Sequence, residues 1–213
     1  MKRILHVSCS PRGEVAESFR LARRIIERLQ QNEPTAHLTH RVIGDGSLPH
    51  IDADHAQSQA SDSDVSPVGS MARSEALIQE LECAHCIVIS TPMHNLAAPS
   101  ALKAWIDHVV RVRRTFTITR SGKVGLLADR PVYVAISSGG RFSGELARQP
   151  DFLTPYLKAI LPTIGLHDLR FFSVQGTNAA QEYVLQAREH AEQALQEHFT
   201  DCTATPCAHW RKD

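Results

Sequence analysis

Apolar residues run along this chain in two alternating patterns. Short unbroken runs of buried-strand type cover residues 3–8, 86–90, 131–137 and 169–174, and a more polar stretch at 37–42 suits a sheet edge. Between them, apolar residues recur at helical spacing. Phe19, Leu21, Ala22, Ile25, Ile26 and Leu29 mark a helix that begins near Ala16, and Ala72, Ala76, Leu77 and Ile78 mark another over 71–81. A third helix follows Pro99 through Leu102, Trp105, Ile106 and Val109, with Ser100 as its expected N-cap. Residues 153–164 predict a helix bent or broken near Pro162, and 182–199 a closing one. Phe116 to Thr119 and 124–127, around a turn at Ser121-Gly122, predict a small excursion from the main sheet.

Strands that alternate with helices require crossovers, and crossovers place helices on both faces of a parallel sheet. The expectation is an α/β fold of flavodoxin-like type: a doubly wound, five-stranded parallel sheet in one domain over residues 1–199. Residues 44–69, rich in Asp, Ser, Ala, Pro and His without an apolar period, read as one long loop, and 200–213 as a loose tail. In such sheets ligands bind beyond the carboxyl ends of the strands where strand order reverses. That rule selects the loops after Ser8, Ser90 and Ser137.

Each of these loops has its own chemistry. The first, residues 8–18, carries hydroxyls and free amides into a helix start, which favours an anion; it equally reads as an ordinary N-cap, and the residues leave both open. It lacks G-x-G-x-x-G and the Walker pattern, so a monophosphate fits better than a dinucleotide or a nucleoside triphosphate. The second, residues 91–99 with Pro92-Met93-His94-Asn95-Leu96, mixes apolar, soft and amide groups as a flat heteroaromatic ring requires. In the third, Ser137-Ser138-Gly139-Gly140, consecutive backbone amides with little side chain suit an electron-rich carbonyl edge.

Composition narrows the classes. With 23 basic and 23 acidic residues the chain has no net charge, which argues against nucleic acid as a partner. The arginines at 111, 113, 114 and 120 read as a solvated face. No run is long and apolar enough for a membrane span and no signal peptide opens the chain, so a cytoplasmic protein with free thiols is expected. Cys83 and Cys86 form a CxxC at a helix end rather than a helix start, where packing is the expected role. No metal site is expected: His50, His55 and His85 fall in loops or exposed ends, and Cys202, Cys207 and His209 supply only three ligands.

Ser10, Ser18, Pro92-Met93-His94-Asn95, Leu102-Lys103, Thr115-Phe116 and Ser138-Gly139-Gly140, in consistent order over roughly residues 3–176, resemble the FMN-dependent NADH:quinone oxidoreductases, also called FMN-dependent NADH-azoreductases. The resemblance implies a flavodoxin-like homodimer with one FMN per subunit at the dimer interface. It implies two-electron transfer from NADH or NADPH to quinones, and reductive cleavage of azo compounds, by a ping-pong mechanism in which the flavin carries the electrons. By position, Ser10 and Ser18 would bind the phosphate with the backbone of Ala16 and Glu17. Met93, His94, Asn95 and Leu96 would line the ring, and Ser137, Ser138, Gly139 and Gly140 would hold its pyrimidine edge. His94 would be a proton relay, and no side chain a nucleophile. Where relatives often have Ser, Gln, Tyr and Arg, this chain has Ala16, Glu17, His94 and Ser138. An NADPH-dependent FMN reductase and a non-enzymatic flavodoxin-like electron carrier are the alternatives.

Overall fold

Ile4 and Leu5 are adjacent, both buried, and belong to different hydrophobic cores, because successive strand residues point to opposite sheet faces. The computed structural model describes residues 1–60, 69–201 and Trp210. In chain order the elements are β1 (Arg3–Ser8), a 3-10 turn (Gly13–Val15), α1 (Glu17–Asn32), β2 (His37–Val42), α2 (Ala53–Ala60), α3 (Gly69–Cys83) and β3 (Cys86–Pro92). There follow α4 (Ser100–Val109), the hairpin β4 (Phe116–Thr119) and β5 (Gly122–Gly125), β6 (Val132–Ser138), α5 (Leu153–Thr163), β7 (Leu169–Gln175) and α6 (Gln181–Asp201).

Five strands pair in the order β2-β1-β3-β6-β7, all parallel. Leu5, Val7, Ile87, Ile89, Val132 and Val134 pack under α3, α4 and α5. Ile4, Cys86, Val88, Tyr133 and Ala135 pack under α1 and α6, where Trp210 is also buried. Burial on both faces is why these strands read as continuous apolar runs. From the neighbours β1 and β3 the chain winds outward in opposite directions, and their carboxyl ends open a crevice.

Five expectations are corrected. Residues 44–69 are not one loop: α2 lies within them, and α3 starts at Gly69. No aliphatic stripe seats α2. Instead Asp52 accepts the His55 N–H at 2.9 Å, and the His55 ring, buried rather than in a loop or exposed end, stands edge-on to buried His108 at 5.6 Å. Ser100 is the first residue of α4; the N-cap position is Pro99, with no side-chain cap. The arginine stretch is only partly a solvated face: Arg113 and Arg120 are exposed, but Arg111 is buried against Glu75 at 2.9 Å and Arg114 clamps Glu75 and Glu82. Finally, β6 continues through Ser138, one residue beyond the strand end expected at Ser137. Pro162 stands one residue before the end of α5; it has no N–H to bond the Lys158 carbonyl, and the helix stops at Thr163. Among the described residues no helix is long and apolar enough to cross a membrane.

Candidate functional site

The crevice is built from backbone first. Cys9 N–H donates to the Ser90 carbonyl at 2.9 Å, tying the end of β1 to β3, while the amides of Ile43 and Gly44 both donate to the Ser8 carbonyl at 2.9 and 3.0 Å. Three strand ends are thereby fixed against one another.

Beyond Ser8 the chain turns at once. Gly13, at φ +55°, returns its N–H to the Ser10 carbonyl at 3.1 Å, and the Arg12 N–H donates to Ser10 Oγ at 3.2 Å. Ala16, extended, is the N-cap of α1 and makes no side-chain cap; the first helical bond runs from Arg20 N–H to the Ala16 carbonyl at 3.0 Å. The amides of Glu17, Ser18 and Phe19 therefore precede the helical ladder. Ser18 Oγ is fully buried and has no hydrogen-bond partner. A buried hydroxyl without a partner is uncommon, and beside three ladder-free amides it is what an anion's oxygens would satisfy. Neither serine caps the helix, so the ordinary N-cap reading loses its support.

The Glu17 carboxylate turns away from that helix start. Arg188 of α6 grips it through Nε at 2.8 Å and Nη2 at 2.6 Å, and this bonding, with the guanidinium charge, holds the carboxyl below its usual range. Cys9, buried beside the turn, has its thiol pushed far up by burial and stays protonated.

The second loop leaves β3 at Pro92. Met93 N–H donates to the Ser137 carbonyl at 2.8 Å and its side chain is buried. His94 and Ala97 exchange both backbone bonds at 3.0 Å around Asn95 and Leu96, which have φ of +47° and +71°. Two left-handed residues in a two-residue turn match the type I′ hairpin, which glycine and asparagine adopt readily and leucine does not. The turn is pinned from below by Phe152, whose N–H donates to the Leu96 carbonyl at 3.0 Å. It presents His94 and Asn95 to solvent and leaves Leu96 half-buried. Replacing Leu96 by glycine is expected to relieve about 1 kcal/mol of backbone strain and raise Tm by roughly 2–4 °C. A thermal melt checks this; a fall in Tm would mean that side-chain packing at Leu96 outweighs the strain.

Across the crevice, Ser138 Oγ accepts from Gln149 Nε2 at 3.0 Å, and the same amide reaches the Met93 sulfur at 3.3 Å. Gly139 and Gly140 are small because their neighbours need the space: a Cβ would come within 2.4 Å of Asn178 Nδ2 and 2.1 Å of Gln149 Oε1. Thr177 N–H donates to the Ser138 carbonyl at 3.0 Å, joining this edge to the loop after β7. Every residue selected from the sequence, Ser10, Ala16–Ser18, Pro92–Leu96 and Ser137–Gly140, thus stands at this end of the sheet, on the three loops or on the strand and helix ends that flank them. Gln149, Phe152, Asn178 and Arg188 were not selected. Each lies in a polar or irregular stretch and reaches the crevice only through tertiary contact.

A family model described as flavodoxin-like fold matches residues 2–199. An FMN-dependent NADH:quinone oxidoreductase of Pseudomonas fluorescens is 44% identical over 196 residues, covering 92% of this chain and 94% of that one. One from Burkholderia lata is 48% identical over 177 residues, covering 83% and 86%. The chain belongs to the FMN-dependent NADH:quinone oxidoreductase family. Within the family's fold, the crystal structure of an FMN-dependent NADH-azoreductase from Bacillus anthracis in complex with FMN superposes with a TM-score of 0.76 at 24% identity, covering 92% of this chain and 99% of that one. Of the CxxC pair in this family member, Cys86 is buried and its thiol is pushed up by burial, as packing requires, whereas Cys83, the last residue of α3, is exposed. Among the described residues no group of three or more His, Cys, Asp or Glu is placed to hold a metal; Cys202, Cys207 and His209 lie outside them.

Proposed function

We propose that this chain is an FMN-dependent oxidoreductase that passes two electrons from NADH to quinones and cleaves azo compounds. The observation that carries the reading is the buried, partnerless Ser18 hydroxyl at the start of α1, at the same end of the sheet as the loops that carry Met93 and Gly139-Gly140. When bound, FMN supplies hydride acceptance from NADH and two-electron donation to the acceptor in a ping-pong exchange.

The residues do the rest. Ser10, Ser18 and the amides of Glu17 to Phe19 hold the phosphate by charge-assisted hydrogen bonds, while the Ala16 N–H is already bonded to the Gly13 carbonyl at 3.2 Å. Met93 to Leu96, following Pro92, line the flat ring with apolar and backbone groups, and Ser137 to Gly140 hold its pyrimidine edge. His94, exposed on its turn, is placed to hand a proton to the acceptor. A homodimer belongs to the reading, supported by exposed Leu146 and Phe152, which flank the crevice and suit cover by a second copy. So does a cytoplasmic setting, supported by the free thiols of Cys9, Cys83 and Cys86. The electron-carrier alternative is disfavoured by the absence of net charge, since carriers dock through strong acidic fields.

The purified protein is expected to be yellow and to oxidise NADH without oxygen when a quinone is present. Replacing Ser18 with alanine is expected to weaken FMN binding about ten-fold and to leave riboflavin binding unchanged, because only the phosphate is lost from the comparison. A colourless protein that stays inert after added FMN would sink the assignment.

A further inference from the structure

Glu17 places a carboxylate at the very helix start where the proposed function seats a phosphate, and two anions there would repel. The structure contains a device that removes the conflict. Arg188, 171 residues further along the chain, reaches from α6 and engages both carboxylate oxygens, at 2.6 and 2.8 Å. Its planar fork fits a carboxylate in a way that a single-point cation does not. The other cations nearby are poorer substitutes: Arg20 approaches only to 3.7 Å with its side chain 54% exposed, and Arg12 is exposed. Glu17 itself is only 14% exposed, so little water screens it.

We propose that Arg188 is a positioning residue for the cofactor: by holding Glu17 neutralised and turned toward α6, it keeps the start of α1 positive enough to select phosphorylated flavin over riboflavin. The inference rests on the phosphate seat described under Proposed function, and it assigns to α6 a part in cofactor choice. Arg188's share of the selectivity comes from charge. Ser10, Ser18 and the amides of α1 provide the hydrogen bonds, and Arg188 determines whether the field at that point attracts or repels the phosphate.

The test is flavin fluorescence quenching, with FMN and riboflavin titrated separately into cofactor-free protein. Arg188→Gln is expected to raise the FMN Kd about ten-fold, from the repulsion of a released carboxylate across a partly screened gap, with the riboflavin Kd unchanged. Glu17→Gln in the same chain, giving the double variant, is expected to restore FMN binding to within about two-fold of the parent, since the two side chains act as one unit. Arg188→Lys, which keeps the charge and loses the fork, should lie between. A cleft of ≈ 320 Å³ between α1 and α6 adjoins the pair, so truncated side chains meet water rather than a packed core. Equal weakening of both flavins in Arg188→Gln, or a double variant that stays weak, would overturn the role and leave Arg188 merely structural. If the parent protein bound FMN no more tightly than riboflavin, the phosphate seat itself would fall, and this inference with it.

Discussion

Exchanging Gly44 for alanine will displace the Ser10 turn and abolish tight FMN binding while the protein still folds. A Cβ at Gly44 would lie 2.3 Å from the Ser10 carbonyl oxygen, 2.4 Å from its carbon and 2.7 Å from the Cys9 carbonyl carbon. All three are backbone atoms, so no rotamer change relieves the overlap. Gly44 cannot retreat either, because its N–H is bonded to the Ser8 carbonyl at 3.0 Å and Ile43 is bonded to the same oxygen. The strand ends must part, and the turn carrying Ser10 moves with them. Overpacking of this kind costs about 2–3 kcal/mol, which for a chain of this size lowers Tm by roughly 4–12 °C. The flavin Kd should rise by more than about ten-fold, since one Ser10 contact and the aim of the α1 amides are lost together. Gly46 supplies the control. It has φ +80° and open space where a Cβ would go, so Gly46→Ala costs about 1 kcal/mol of left-handed strain and leaves FMN binding intact. Thermal melts and flavin titrations of both variants decide the matter, and indistinguishable behaviour would show that the Gly44 contact relaxes harmlessly.

Gly44 was legible only as punctuation at the edge of a long loop; its reason for being glycine is the Ser10 carbonyl, which no local pattern announces. The sheet was legible for the opposite reason. Strands such as 86–92 and 132–138 are buried on both faces, so every residue is drawn from the same apolar set and the run stands out. Once the alternation was read, the crevice followed from the topology, and Ser10, Ser18, Met93 and Gly139 fell on its loops. What failed to show was whatever depends on a partner far along the chain. α2 is seated by a histidine pair and an Asp52 cap instead of an aliphatic stripe, so it carries no helical period. Leu96 adopts a left-handed backbone that its sequence argues against, and it is held there by the bond from Phe152 and by the bridge between His94 and Ala97 on either side of it. The partner of the Glu17 charge, Arg188, lies 171 residues further along the chain, so no local pattern announces the pair.

The second large effect concerns acid. His6 of β1 is buried, donates to or accepts from Ser90 Oγ of β3 through Nε2 at 2.9 Å, and stacks on His40 of β2 with ring centroids 4.7 Å apart. Burial first, and the charge of His40 second, lower its pKa from 6.5 to about 3. The sign follows directly. Between these two values the unfolded chain binds a proton at this position that the folded chain refuses, so stability falls as pH drops from 6.5 toward 3 and is flat above that window. The slope contributed by one such group approaches about 1.4 kcal/mol per pH unit. Carboxylates held low by arginines, Glu17, Glu75, Glu82 and Glu192, add acid sensitivity of the same sign, but only as pH falls through their own lower range. The interval from pH 6.5 to about 5 therefore belongs mainly to histidine. Denaturant midpoints taken at steps through that interval should fall steadily for the parent chain. The double variant His6→Phe with Ser90→Ala fills the site with a ring of similar shape and removes the hydroxyl that would be left unpaired, and its midpoints should hold level over the same steps apart from the contribution of buried His55 and His108, whose pKa values burial also lowers. Equal slopes in the two proteins would mean that His6 charges freely in the folded state, despite its burial and its ring contact with Phe19 at 5.2 Å.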